Sequence, residues 1–440
     1  MRLLLHMLCA LSFAFTTTPA SAQSLIRDAE IEQALLNLAK PVIRAAGLGT
    51  NRIRLLVIND SSLNAFVTDS RHIFIHSGLI SRLQSAEALQ AVIAHEVAHI
   101  ANGHLTRRAG NARAASRITA IGFAIAIATA ASGNGQAGVG LALGSSSAAQ
   151  RAFFSHTRAE EASADQAGIR YLSRAGIDPA AMIEVLDLFR GQEALRQSRQ
   201  DPYALTHPLT RDRLRAVKGY VAGAKTEAPK SSKSDQYWYA RMRAKLTAFL
   251  GNPRQTLRNK AAKGDGEIAR IYRAVAYHKS SQTKKALSEV DRLIAARPKD
   301  AFYRELRGQI LLESRNFGPA VQSYRNAVSL APNEALIQGG LGKALLAQKN
   351  FSAALSTLTR ARARDPGDPS LLRNLAVAHA NLGQNGLASA ATAERYAVLG
   401  RFADAHIHAK RAMGQLPQGS SGWLRANDVL KTAKTGGRRR

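Results

Sequence analysis

Ser85-Ala86-Glu87-Ala88-Leu89-Gln90-Ala91-Val92-Ile93-Ala94-His95-Glu96-Val97-Ala98-His99-Ile100 is the stretch from which the fold of this chain can be read. Its apolar residues Leu89, Val92, Ile93, Val97 and Ile100 keep the spacing of a buried helical stripe, so the segment is predicted to be an α-helix. Four residues of helix turn through roughly 400°, which sets His95 and His99 on one face, one turn apart. Two imidazoles so placed can bind a single zinc ion. Glu96 lies beside them and offers a carboxylate that can move a proton at the metal. Two hydrogen-bonded histidines on a core helix would give the same pattern, so a third ligand has to decide.

Two candidates for that ligand follow in the chain. His104 stands nine residues after His95, whereas the extended motif of one metallopeptidase class wants Gly seven and His ten residues on; Asn102 and Leu105 occupy those places. The spacing disfavours His104. The run Arg158-Ala159-Glu160-Glu161-Ala162-Ser163-Ala164-Asp165 is a predicted helix with Glu161 and Asp165 on one face. Glu161 can reach a metal while Asp165 steadies a ligating histidine. A solvated acidic helix face is the alternative reading of the same run.

HExxH at 95–99, ExxxD at 161–165, and Thr206-His207-Pro208 with Arg213 beyond it together resemble the zinc metallopeptidases related to HtpX and the CAAX prenyl proteases. The likeness is strongest to their BepA-like periplasmic branch with C-terminal tetratricopeptide repeats. It takes in Asn64-Ala65-Phe66, Ile73-Phe74-Ile75 and Gly78-Leu79, and so covers roughly residues 25 to 222. The resemblance implies one zinc ion per subunit held by His95, His99 and Glu161, with Glu96 as general base. It also implies that His207, on a loop, can fill the fourth metal position and silence the enzyme. A loop histidine merely fixed by Pro208 is the plainer account. Arg213 either steadies a substrate carbonyl or pairs with a carboxylate.

Ahead of the helix, Leu55-Leu56-Val57-Ile58, Asn64 to Val67 and Ile73 to Ile75 are short runs of β-formers broken by Asn59-Asp60 and Thr68-Asp69-Ser70, which predicts two or three strands. An edge strand in such a sheet can bind extended peptide through its backbone. The resemblance gives that task to the strand near Ile73–Ile75.

The first 22 residues read as a secretory signal peptide: Arg2, an apolar run from Leu3 to Phe15, then Ala20-Ser21-Ala22. Leu8 before Cys9 departs from a lipobox, and Cys9 is the one cysteine of the chain. Its removal with the leader excludes thiol catalysis, disulfides and thiolate ligands. Composition then divides the rest into a metallopeptidase domain at 23–222, a Lys-, Ser- and Pro-bearing connection at 223–240, a repeat domain at 241–430 and a basic tail at 431–440.

Beyond the connection Pro298, Pro332 and Pro366 recur every 34 residues, as do Ala286, Ala320, Ala354 and Ala388, with Gly308 and Gly342 in an earlier slot. This resembles the tetratricopeptide repeat, two antiparallel helices per unit stacking into an α-solenoid. Units are predicted at 267–300, 301–334, 335–368 and 369–402, followed by a degenerate last unit in which Ala405 and Pro417 keep the 12-residue offset but the preceding helix is shortened. The net charge is +30; residues 23–222 carry +6, from 22 basic and 16 acidic side chains, and residues 223–440 carry +23, from 38 and 15. The array is therefore the basic half, and either an acidic partner or a plain solvated surface accounts for that. Export and the lack of a nucleic-acid motif argue against nucleic acid. Ile118 to Leu143 is apolar but broken at Ser132-Gly133-Asn134-Gly135-Gln136, too short on either side to span a bilayer, and reads as a buried or membrane-grazing hairpin.

The expectation is a mainly α chain: a zincin-type metallopeptidase domain of helices with a small β-sheet, followed by an α-solenoid. By resemblance it acts as a periplasmic zinc endopeptidase on unfolded or misassembled envelope proteins, near the outer-membrane assembly machinery. The rival is a non-catalytic adaptor or chaperone whose zinc site is structural or plugged.

Overall fold

In the computed structural model, residues 25–104, 158–196, 199–224 and 232–436 are described. The expected leader at 1–22 and hairpin at 118–143 lie outside them. Most of the described chain is helical, with one small sheet and a repeat array, as the sequence pattern predicts.

The sheet has four strands: β1 (Leu25–Ile26), β2 (Arg54–Ile58), β3 (Ala65–Val67) and β4 (His72–His76), in the order β1-β2-β4-β3. β2 and β4 run parallel with Leu55 opposite Ile73 and Val57 opposite Ile75, and the two outer strands pair antiparallel. β4 is thus hydrogen-bonded on both sides. The peptide-binding edge expected at Ile73–Ile75 is not there; among the described residues the outer strand on that side is β3, which follows β2 in the chain.

α1 (Ala29–Ala45), α2 (Ser77–Arg82) and α3 (Ala86–Ala101) cover the sheet. Asp28 caps α1 by accepting from Ile31 N, and Ser85 caps α3 by accepting from Ala88 N. α3 carries the HExxH motif and is buried on nearly every face, which marks it as the central helix of the domain. A helix over 158–174, here α4, and α5 (Ala181–Leu188) pack on α3; α6 (Pro202–Thr206) and α7 (Arg211–Gly223) complete this half.

Part of the expected connection at 223–240 is a helix. α8 (Lys233–Leu250) lies against α1 and α3, with Tyr239 buried and its hydroxyl donating to Leu83 O at 2.7 Å. After α9 (Pro253–Arg258) the repeats follow as α10 (Glu267–Lys279), α11 (Thr283–Ala296), α12 (Ala301–Glu313), α13 (Phe317–Leu330), α14 (Ala335–Ala347), α15 (Phe351–Arg364), α16 (Pro369–Asn381) and α17 (Asn385–Val398). Each pair begins 34 residues after the last. Close packing explains the repeated small residues: a Cβ on Gly308 would lie 2.7 Å from the Tyr324 ring, and one on Gly342 would overlap Leu358. The turn inside each pair needs a left-handed residue, filled by Ser281, Arg315 and Lys349 (φ 58°, 62°, 60°) and by Gly383 (φ 74°). α18 (Phe402–Gln415) and α19 (Ser421–Gly436) close the array; α17, the helix before the one that carries Ala405, is 14 residues long, not shortened, and the expected tail at 431–440 is helical to Gly436.

The array bends back onto the peptidase half through buried ion pairs. Arg241 of α8 is paired with Glu30 of α1 and with Asp300 ahead of α12 (2.5 Å), under the Tyr303 ring at 4.1 Å. Lys245, fully buried, meets Asp28 at 2.8 Å and Glu30 at 3.1 Å. At the far contact, Asp365 between α15 and α16 accepts from Arg27 (2.6 Å) and from both terminal nitrogens of Arg54 (2.8 and 3.0 Å).

Burial opposes charge on Asp365, yet the hydrogen bond from Arg54 and the charge of Arg27 outweigh it and hold the pKa at about 2, against an ordinary 3.8. A depressed carboxylate contributes stability that is full above its unfolded pKa and lost as the pH falls through the folded one. The contact should therefore loosen between about pH 4 and pH 2. Asp365→Asn should destabilise the folded chain by roughly 1–3 kcal/mol at neutral pH, with most of that difference gone at pH 2, as read by denaturant unfolding at the two pH values.

Candidate metal centre

Three elements bring the site together. α3 presents His95, Glu96 and His99, all buried. α4 presents Glu161 and Asp165, one turn apart, and it approaches α3 along Ala164, Ala167 and Gly168, where a Cβ on Gly168 would stand 3.4 Å from His95 N. The loop between α6 and α7 presents His207, whose backbone N donates to Tyr203 O at 2.8 Å and whose ring lies 4.6 Å from the Tyr203 ring.

Donor atoms of His95, His99, Glu161 and His207 all lie within 4.8 Å of one another. His95 Nε2 is 3.0 Å from His99 Nε2 and 3.2 Å from His207 Nδ1. Glu161 stands 3.2 Å from His95, 3.4 Å from His99 and 3.0 Å from His207. Lone pairs converging on one buried point repel each other, and a cation at that point removes the repulsion. Two or three imidazoles with a carboxylate suit zinc or a related divalent metal. The donor set fits.

Behind the donors lies a second layer of contacts. His95 Nδ1 lies 3.0 Å from Asp165 Oδ1 while its Nε2 faces the other donors. Arg213 clamps Asp165 with two bonds (2.6 and 2.9 Å) and reaches Glu161 at 3.1 Å. Its Nη1 also donates to the carbonyls of His207 (3.1 Å) and Pro208 (3.2 Å), so the same guanidinium fastens the loop. Of the two readings the sequence left for Arg213, the carboxylate partner is the one realised. Glu96 Oε1 lies 3.5 Å from His207 Nε2. His104, set aside on spacing, is buried behind His99 with the two Nδ1 atoms 2.9 Å apart.

The electrostatics follow from these contacts. Burial opposes the charge of Asp165, but Arg213 overcomes it and the pKa falls to about 2. Burial likewise opposes Glu161, which His207 and Arg213 nevertheless hold well below the carboxylate range. Both carboxyls are anions at neutral pH. Burial also works against a charged His95, but Asp165 and Glu161 prevail and raise it to about 9; at His99 burial prevails and lowers the value to about 3.

Residues 26–221 match peptidase family M48, and residues 311–377 match the tetratricopeptide repeat. The beta-barrel assembly-enhancing protease of Escherichia coli (strain K12) is 28% identical over 402 residues, 90% of this chain and 81% of that protein. The protein of the same name from Yersinia pestis is 27% identical over 388 residues, 87% of this chain and 79% of that one. The mitochondrial metalloendopeptidase OMA1 of Schizosaccharomyces pombe is 27% identical over 202 residues, 45% of this chain and 56% of that one.

Asp165→Asn keeps the shape but removes the charge that orients His95. It is expected to lower the affinity for added zinc roughly 10- to 100-fold in competition with a chelator, with the helical circular dichroism unchanged.

Proposed function

From the premise that this chain is a metallopeptidase, with a peptidase family M48 domain at residues 26–221 and a tetratricopeptide array after it, we propose that it is a zinc endopeptidase of the bacterial periplasm. His95, His99 and Glu161 would hold the zinc. One observation carries the reading: these three donors meet at one buried point while Glu96, the next residue to a ligand, stands at its side. A structural site has no use for a carboxylate so placed.

Bound zinc supplies Lewis acidity and an acidified water. The chain's own residues do the rest. Glu96 accepts the proton of the attacking water and returns it to the leaving amine. Asp165 and Arg213 hold His95 and Glu161 in place. Extended substrate adds to the outer side of β3, outermost among the described strands, where the backbone groups of Ala65–Val67 set its register. Unfolded chains can pair in this way and folded ones cannot.

Substrate class rests on analogy with relatives named for enhancing β-barrel assembly. We assign to this chain the hydrolysis of unfolded or misassembled envelope proteins, with the array recruiting clients or the outer-membrane assembly machinery. The apolar start of the sequence supports export. Among the described residues no helix is long and apolar enough to cross a membrane.

A second reading, an adaptor or chaperone with a silent centre, is favoured by one observation: His207 Nδ1 sits within the donor cluster and its Nε2 faces Glu96. We take this as a reversible plug on a working enzyme. Glu96→Gln should keep zinc and client binding and lower casein cleavage by about 10²- to 10⁴-fold. His207→Ala should raise basal cleavage severalfold. Cleavage untouched by the Glu96 change sinks the enzyme mechanism, and a His207 variant no faster than the parent sinks the plug.

A further inference from the structure

The spacing of His104 sets it apart from the four donors, and none of the roles above uses it. Yet it is 1% exposed, in the core of a metal-type centre. Helix α3 ends at Ala101; Asn102 N donates to Ala98 O, and Gly103 takes a left-handed φ of 66°, donating to Ile100 O. That turn returns the chain beneath the last helical turn. Asn102 Nδ2 pins it by donating to Ser163 Oγ of α4 at 3.1 Å. The His104 ring then meets the His99 ring edge to face, centroids 4.9 Å apart and planes at 77°, with the Nδ1 atoms 2.9 Å apart.

We propose that His104 is the positioning residue of His99, accepting the His99 Nδ1–H on its own Nδ1 and so holding the Nε2 lone pair toward the metal. The inference rests on the reading of His99 as a ligand. A 2.9 Å contact between two ring nitrogens holds one proton, so one ring donates and the other accepts. His99 Nε2 faces His95 Nε2 at 3.0 Å, inside the donor cluster, and a ligand there needs its lone pair. The proton of His99 is therefore on Nδ1, and His104 is neutral with its own proton on Nε2. The two ligating histidines are thus backed differently. His95 leans on an anion neutralised by Arg213; His99 leans on a neutral imidazole, which fixes its orientation and adds no charge.

Two variants separate geometry from bulk. His104→Leu fills the space with no acceptor, and His104→Gln restores an oxygen acceptor. Both are made in the full chain carrying Glu96→Gln, so that no self-cleavage intervenes. Zinc affinity by chelator competition is expected to fall roughly 10- to 100-fold for the His104→Leu protein, with most of the loss recovered by His104→Gln. In the zinc-loaded, ¹⁵N-histidine-labelled parent, long-range proton–nitrogen correlations should show His99 protonated on Nδ1 and His104 on Nε2 alone. Equal affinity of both variants with the parent, or a His104 protonated on Nδ1, overturns the proposal and leaves the metal reading standing. A Glu96→Gln parent that binds no zinc overturns both. Should the His104→Leu protein fail to fold, the tautomer measurement on the parent still decides.

Discussion

Among the described residues, the centre buries three carboxylates, Glu96, Glu161 and Asp165, against a single guanidinium, Arg213. So much charge buried together is among the costliest features a fold can carry unless it is matched. A divalent cation on the four donors would offset the carboxylates. The cluster cannot be explained as packing, since apolar side chains in these places would make a more comfortable core. Its survival in the middle of the domain argues that the charge is there to be matched, and the shapes of α3, α4 and the α6–α7 loop follow from the need to point these groups at one place. Arg213 is central to that arrangement because it touches both the ligand scaffold, through Asp165 and Glu161, and the loop that carries His207.

A second buried charge group does a different task. Glu30, Arg241, Lys245, Asp28 and Asp300 lie where α1, α8 and the start of the repeats meet. A buried ion pair is weak as a source of net stability, because desolvation offsets the attraction, but it is strict about geometry. α8 therefore works as a splint: its apolar side extends the peptidase core, through Tyr239, Met242 and Leu246, while its charged side fixes the first repeats. With Asp365 closing on Arg27 and Arg54 at the other end, the array is held at two separated points, which sets how its curve lies over the peptidase half.

What the sequence disclosed and what it withheld divide along the same physical line. HExxH is legible because helical geometry alone brings residues four apart together, and the repeat is legible because a 34-residue period leaves the same small residues in the same slots. ExxxD is legible as a motif, but its use depends on how near α4 comes to α3, and that distance is set by Gly168, which no local pattern marks out. β3 as the outer strand among the described residues was hidden because strand order is not chain order: β4 inserts between β2 and β3. Spacing set His104 aside as a ligand and said nothing of the space behind His99, although Gly103 hints that the chain turns back there. Arg27 and Asp365 are 338 residues apart, and nothing in either neighbourhood announces the other.

The charge balance also bears on why a histidine, and not an acid, should sit in the fourth position. On the proposed reading, a histidine in the fourth position would add a donor to the cation without adding a negative charge. Its departure leaves no net charge behind, and a neutral water or peptide carbonyl can take its place at equal electrostatic standing. A carboxylate there would bind harder and leave at the expense of an unbalanced cation. His207 is held instead by modest contacts that can be exchanged: the stack on Tyr203, the approach of Nε2 to Glu96, and its own carbonyl on Arg213. Its Nδ1 also stands 3.0 Å from Glu161 and 3.2 Å from His95, so on the proposed reading release of the imidazole gives up these contacts too, while Asp165 and Arg213 keep hold of His95 and Glu161.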